Sequence, residues 1–179
     1  GSNNQTVTGT VGGVGASLAE VNAGVNGSTS TFNSNVYASN LNMTGTGTVI
    51  LNSDLTGNVV TTGNNQGILT TTGLNKTITG NIGSSTSLDL NTLNIGSDTD
   101  ATNYSTTTIN GNVFANSTVL NNNGTTNSSE LILASGKNIT STITTADANM
   151  GILTLAGGIQ TVTGTVGGVG ASLEKVSSG

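Results

Sequence analysis

Residues 5–18 read QTVTGTVGGVGASL, and residues 160–173 repeat those fourteen letters without change. Repetition at this range constrains the fold more than any other feature, because such chains stack copies of one supersecondary unit. Weaker echoes fill the interval. TVTGTVG at 6–12 returns as TITGNIG at 77–83, offset 71. NVYASN at 35–40 returns as NVFANS at 112–117, offset 77, and GILT at 67–70 returns at 151–154, offset 84. Two insertions in the second copy explain the climb, one of six near 97–106 and then one of seven near 121–129. Both segments are polar and Asn-rich and read as loops lengthened on one surface. Half-repeats with periods of 71 and then 84 together give 155, the spacing of the identical phrases. Residues 1–4 are then a leader in which Gly1 and Ser2 look like a cloning scar. Residues 5–76 form the first half-repeat, 77–159 the second, and 160–179 the start of a further one.

The local pattern is that of strands. In TVTGTV (6–11), Val7 and Val11 point one way while Thr6, Thr8 and Thr10 point the other. SLDLNTLNI (87–95) carries Leu88 and Leu90 in the same alternation, and ELILAS (130–135) and GILTLAG (151–157) read alike. Thr, Val and Ile suit a pleated surface, and Asn and Gly suit the turns between. The shared T[VI]TG phrase predicts that Val7, Ile78 and Val162 occupy equivalent inward positions, with Thr6, Thr77 and Thr161 facing solvent. SLAEVNAG (17–24) has the features of a helical turn, Ser17 with Glu20 as a capping box and Leu18 three before Val21. A bent strand and turn is the preferred reading there.

Composition decides which strand architecture fits. Thr, Asn, Ser and Gly number 34, 26, 20 and 27, so 107 of 179 residues are small and polar or glycine. Low-complexity polar tracts often stay unfolded, but Pro is absent, the net charge is only −5, and 32% of residues are apolar and alternate. Two Phe and two Tyr cannot furnish the aromatic girdles of an outer-membrane barrel. A β-sandwich needs larger apolar faces. A parallel β-solenoid, or β-helix, meets every constraint: each coil is too thin to have a core alone, and stacking builds one apolar column. Short strands separated by Gly/Asn turns predict coils of about 20 residues, and hence eight or nine coils. Asn and Thr then stack in ladders with copies above and below.

The phrases TVTGTVGGVGASLAEVNAGV, NVYASN and GILTTTG…KTITGNIG resemble the passenger region of rickettsial autotransporter surface antigens of the outer membrane protein B type. The resemblance implies a β-solenoid exported to the bacterial cell surface, contributing to a surface layer and to adhesion to host cells. It carries no catalytic motif.

The residues themselves exclude much chemistry. There is no Cys, His or Arg. Thiolate chemistry is therefore absent, and three Lys cannot form a basic nucleic-acid surface. No apolar run approaches the ~20 residues of a membrane helix. Eight carboxylates, mostly far apart, do not make the paired acids of a glycan-cleaving β-helix. The expectation is a protein with no catalytic, cofactor-binding or metal site and no cofactor. Asp98 and Asp100 with Asn103 form an acidic loop of calcium-ligand type, read here as a solvated loop. GGVGASL places Ser17 where the calcium nonapeptide needs Asp, which rejects that motif. Asn-x-Ser/Thr sequons, at Asn26, Asn75, Asn103, Asn116, Asn123, Asn127 and Asn138 among others, are expected by chance in this composition. Thr-x-Thr pairs (Thr6/Thr8, Thr46/Thr48, Thr106/Thr108, Thr142/Thr144, Thr161/Thr163) raise an ice-binding face, against the plain reading that Thr is a good exposed strand residue.

The leading expectation is a structural and adhesive segment of a long extracellular surface protein. Its partners would be further copies or repeats stacked head to tail, and a host-cell receptor or extracellular matrix. A self-assembling filament or surface-layer subunit is the alternative, and an ice-binding module the second.

Overall fold

A computed structural model describes residues 3–84, 87–97, 104–122 and 127–179. Among them there is no helix, and sixteen strands run in two parallel ladders. One ladder stacks β1 (Gln5–Val7), β3 (Thr29–Phe32), β5 (Thr48–Leu51), β7 (Gln66–Thr71), β9 (Leu90–Ile95), β11 (Val113–Leu120), β13 (Ile139–Thr145) and β15 (Val162–Thr163). The other stacks β2 (Leu18–Ala23), β4 (Val36–Met43), β6 (Leu55–Thr61), β8 (Gly73–Ile78), β10 (Ser105–Ile109), β12 (Glu130–Leu133), β14 (Ile152–Leu155) and β16 (Lys175–Ser178). Alternate strands of the chain therefore share a ladder, which is the connectivity of a parallel β-solenoid. Eight strands in each ladder make about seven turns, fewer than the eight or nine expected. The turns are longer than the spacing of strand-like runs predicts: the step from Ile78 to its partner Ile109 takes 31, because the corners absorb loops.

Long strands bend at corners. The β4–β6 pairing slips between Tyr37 and Asn40, and the β11–β13 pairing slips between Phe114 and Ser117. Each such strand crosses a corner and feeds two stacks of inward side chains, so the coil has three sides with a main column on each; beside column one a further inward stack runs Val49, Leu69, Leu93, Thr118 and Ile143. Column one runs Val7, Phe32, Leu51, Thr71, Ile95, Leu120, Thr145. Column two runs Val11, Val36, Leu55, Ile78, Ile109, Leu133, Leu155, Ser178. Column three runs Val21, Leu41, Val59, Ile82, Val113, Ile139, Val162. The interior members from Phe32 to Leu133 are almost entirely out of water.

These columns correct the expected equivalence of Val7, Ile78 and Val162. Ile78 is buried, Val7 and Val162 are half-buried against the core, and Thr6 and Thr161 are exposed, with Thr77 half-buried. But the three apolar residues belong to columns one, two and three respectively. Val7 lies in the first turn of its column and Ile78 in the fourth turn of the next, so the first half-repeat advances three turns and one column. The second does the same, from Ile78 to Val162. The rule holds along the chain. Val36 is in column two and its counterpart Val113 in column three; Leu51 is in column one and its counterpart Leu133 in column two. β4 and β11 share one burial alternation over eight residues while packing on different columns. Every strand thus has its counterpart seven strands later.

The offset between counterparts is 72 at β2/β9, 77 at β3/β10, 82 at β5/β12 and 84 at β6/β13. The first insertion falls in the corner after β9, as expected. The second is divided between the corners on either side of β12. Two further expectations change. Residues 18–23 form β2, so the capping-box pattern at Ser17 and Glu20 marks no helical turn. Leu88 is 36% exposed, in an antiparallel bridge to Ser84, and the inward alternation starts only at Leu90.

Candidate functional surface: ladders on the outside of the coil

With the apolar residues inside, the outer faces are built from Asn, Thr and Ser. At the corner between columns two and three, the Asn81 backbone N–H donates to Asn58 Oδ1 at 2.9 Å. The Asn112 N–H donates to Asn81 Oδ1, the Asn138 N–H to Asn112 Oδ1, and the Thr161 N–H to Asn138 Oδ1, each at 2.8 Å. Asn58 Nδ2 continues the row to Asn40 Oδ1 at 3.4 Å. Each amide oxygen takes up a corner N–H that has no strand partner, which is what a polar group at a bend needs. The residue before Asn58, Asn81 and Asn112 explains the tightness there. Gly57 (φ 142°), Gly80 and Gly111 stack there, and a Cβ at any of them would run into the carbonyl of the turn below. A second row joins Asn33, Asn52 and Thr72 after column one, with Asn52 Nδ2 donating to Asn33 Oδ1 at 2.7 Å. A third has the Asp54 N–H donating to Asn35 Oδ1 and the Thr77 N–H donating to Asp54 Oδ1.

Beside the long row runs a groove of about 370 Å³, lined by Asn58, Val60, Asn81, Gly83, Ser84, Asn112 and Phe114. It pairs amide groups and a serine hydroxyl with an aromatic ring and is lined by no titratable side chain. Among the described residues no three potential metal-ligating side chains cluster. The acidic loop of Asp98, Asp100 and Asn103 lies outside the described residues, as does the sequon at Asn123.

The Thr pairs separate. Thr6/Thr8, Thr46/Thr48 and Thr142/Thr144 lie at column one, Thr106/Thr108 at column two and Thr161/Thr163 at column three. Outside column one, however, two rows form. One runs Thr29, Thr48, Ile68, Thr92, Ser117, Thr142; the other runs Thr31, Ile50, Thr70, Asn94, Val119, Thr144. Seven of these twelve positions are Thr, a regular field of methyl and hydroxyl groups that no local run of sequence displays.

The described ends of the two lengthened segments lie at the same corner. Ile95 pairs with Leu120, and Ile109 pairs with Leu133. The chain between β9 and β10 and the chain between β11 and β12 therefore span the same corner in successive turns. Residues 98–103 and 123–126 within them lie outside the described residues. Set against known proteins, the chain has no match: no family model, curated protein or solved structure is significantly similar to it.

Proposed function

We propose that the chain is a non-catalytic, structural and adhesive segment of a long extracellular protein on a bacterial surface, of the autotransporter-passenger kind. The observation that supports this reading best is the pairing of a repetitive rod with one enlarged corner. A stacked coil extends by adding turns, and its outer rows are neutral and small. Contact specificity then falls to the first insertion and the larger part of the second, which share a corner after column one. The test is binding of the full chain, immobilised on beads, to host cells and to extracellular matrix. Trimming both insertions to the lengths of their counterparts in the first half-repeat should abolish binding and leave the circular dichroism spectrum unchanged. Undiminished binding by the trimmed chain counts against the proposal.

The twelve-position Thr-rich field supports a second reading, an ice-binding module. Its test is thermal hysteresis in dilute solution. Hysteresis lost on replacing Thr48, Thr92 and Thr142 by Lys would favour this reading over the first.

A further inference from the structure

We propose that copies of the full chain join end to end, residues 5–23 of one copy lying on residues 160–178 of another, turned by one column so that identical side chains stack. From Val11 onward the repeated phrase folds alike at both ends, whereas Gly164 has φ 126° and Gly9 has no positive φ. The isolated bridge falls at Val11 in one and Val166 in the other. Gly12 and Gly167 have φ of 69° and 71°, and Gly15 and Gly170 both have 75°. The Ala16 N–H donates to the Gly13 carbonyl at 3.0 Å, and the Ala171 N–H to the Gly168 carbonyl at 3.1 Å. The two copies sit on different columns, so this part of the phrase carries its own shape.

Both end turns have an open side. At one end, Val7, Val11, Leu18 and Val21 border an apolar groove of about 320 Å³ beneath β1 and β2, whose lower edges have no strand partner among the described residues. At the other end Val166 and Val176 are 40% and 56% exposed above the last paired strands. The columns follow one another in the same cyclic order in both turns. A shift of one column therefore sets Val7 over Val162, Val11 over Val166, Leu18 over Leu173 and Val21 over Val176. Thr6 and Thr8 then rest on Thr161 and Thr163. Like-on-like parallel stacking of this kind is the arrangement of cross-β assemblies. One glycine fits the same scheme. A Cβ at Gly57, Gly80 or Gly164 would strike the carbonyl of the turn below, whereas at Gly9 it meets nothing within 4 Å. In the joined state the Gly164 carbonyl of the other copy fills that place. The contact is heterologous and does not close, so rods form rather than dimers.

Sedimentation velocity over a concentration series should show mass rising continuously. Gly9→Ala should leave the thermal melt unchanged and weaken association about tenfold or more, since crowding enters only at the joint. The register is read by oxidation of paired surface cysteines. Thr8→Cys with Thr163→Cys places thiols on neighbouring parallel strands, ~4.8 Å apart and within disulfide reach. Inside one chain the same pair is six turns, or ~29 Å, apart, so every link is between copies. Asn4→Cys with Thr165→Cys links only in an unturned stack, in which Gln5 lies on Val166. A ladder of covalent multimers from the first pair and none from the second is expected. A monomer at millimolar concentration, linkage from the second pair instead of the first, or unweakened association of Gly9→Ala would each overturn the proposal.

Discussion

The first and second half-repeats share a pattern and differ in what fills it. In the first, column positions are mainly apolar: Phe32, Leu41, Leu51 and Val59. In the second, Leu41 has become Thr118, and hydroxyls enter the interior in pairs. Thr118 Oγ1 lies 2.8 Å from Ser141 Oγ, Thr107 Oγ1 lies 2.7 Å from Thr71 Oγ1, and Ser105 Oγ donates to the Gly73 carbonyl at 2.9 Å. The second half keeps the alternation with different atoms, because a buried hydroxyl is tolerated when it meets another one turn away. What the coil demands first is a side chain of fitting size, since the buried Ser53 Oγ and Thr61 Oγ1 of the first half stand without a partner among the described residues, and the face on which it lies is a lesser matter.

The strongest test of that statement is a buried charge. Val36 and Val113 are both 0% exposed, on columns two and three. Val36→Asp and Val113→Asp should each cost about 4 kcal/mol or more in urea unfolding. Clearly unequal losses would mean that the columns are not interchangeable. Next comes the glycine of the repeated phrase. Gly164→Ala places a Cβ against the Ser141 carbonyl at φ 126°, whereas Gly9 stands in open space. The first should lose about 2–4 kcal/mol and the second under about 1, read from thermal melts. The hydroxyl pair gives a smaller, signed effect. Thr118→Val leaves the buried Ser141 hydroxyl short of its partner and should cost about 1–3 kcal/mol, whereas adding Ser141→Ala should recover most of the loss. The smallest effect is expected outside. Asn112→Ala removes one rung at an open corner, where water replaces it, and should cost about 0.5–1.5 kcal/mol.

Much of this fold was legible in the residues. Alternation about Val7, Leu90 and Leu131 marked the inward positions, and the echoes at offsets 71, 77 and 84 marked the counterparts. The column shift was not legible. It depends on how much chain a turn consumes, and that is set at corners, where a bend in β4 or a loop after β9 changes the count without disturbing the alternation. Leu88 misled because its neighbours alternate while its backbone turns back on Ser84. The outer Thr field was hidden for a related reason. Its members come from six turns and only two of the Thr-x-Thr pairs, Thr46/Thr48 and Thr142/Thr144, contribute to it. The Asn row was foreseeable in kind, but its rungs at 58, 81, 112 and 138 are unevenly spaced along the chain and even only along the axis.

The advance of one column per half-repeat makes the molecule a screw thread. Three turns and a third separate a mark from its counterpart, ~16 Å along the axis. Three half-repeats, ten turns and ~48 Å, bring the mark back to the same side. Tyr37 and Phe114 are two successive points on this thread. In any chain built by repeating the unit, a flat surface lying along the rod would meet a given mark only once per ten turns. A partner that wraps around it would meet one every third turn, from a new direction each time. Sequence drift within one half-repeat therefore re-tunes contacts all round the circumference, and no side of such a rod is its front.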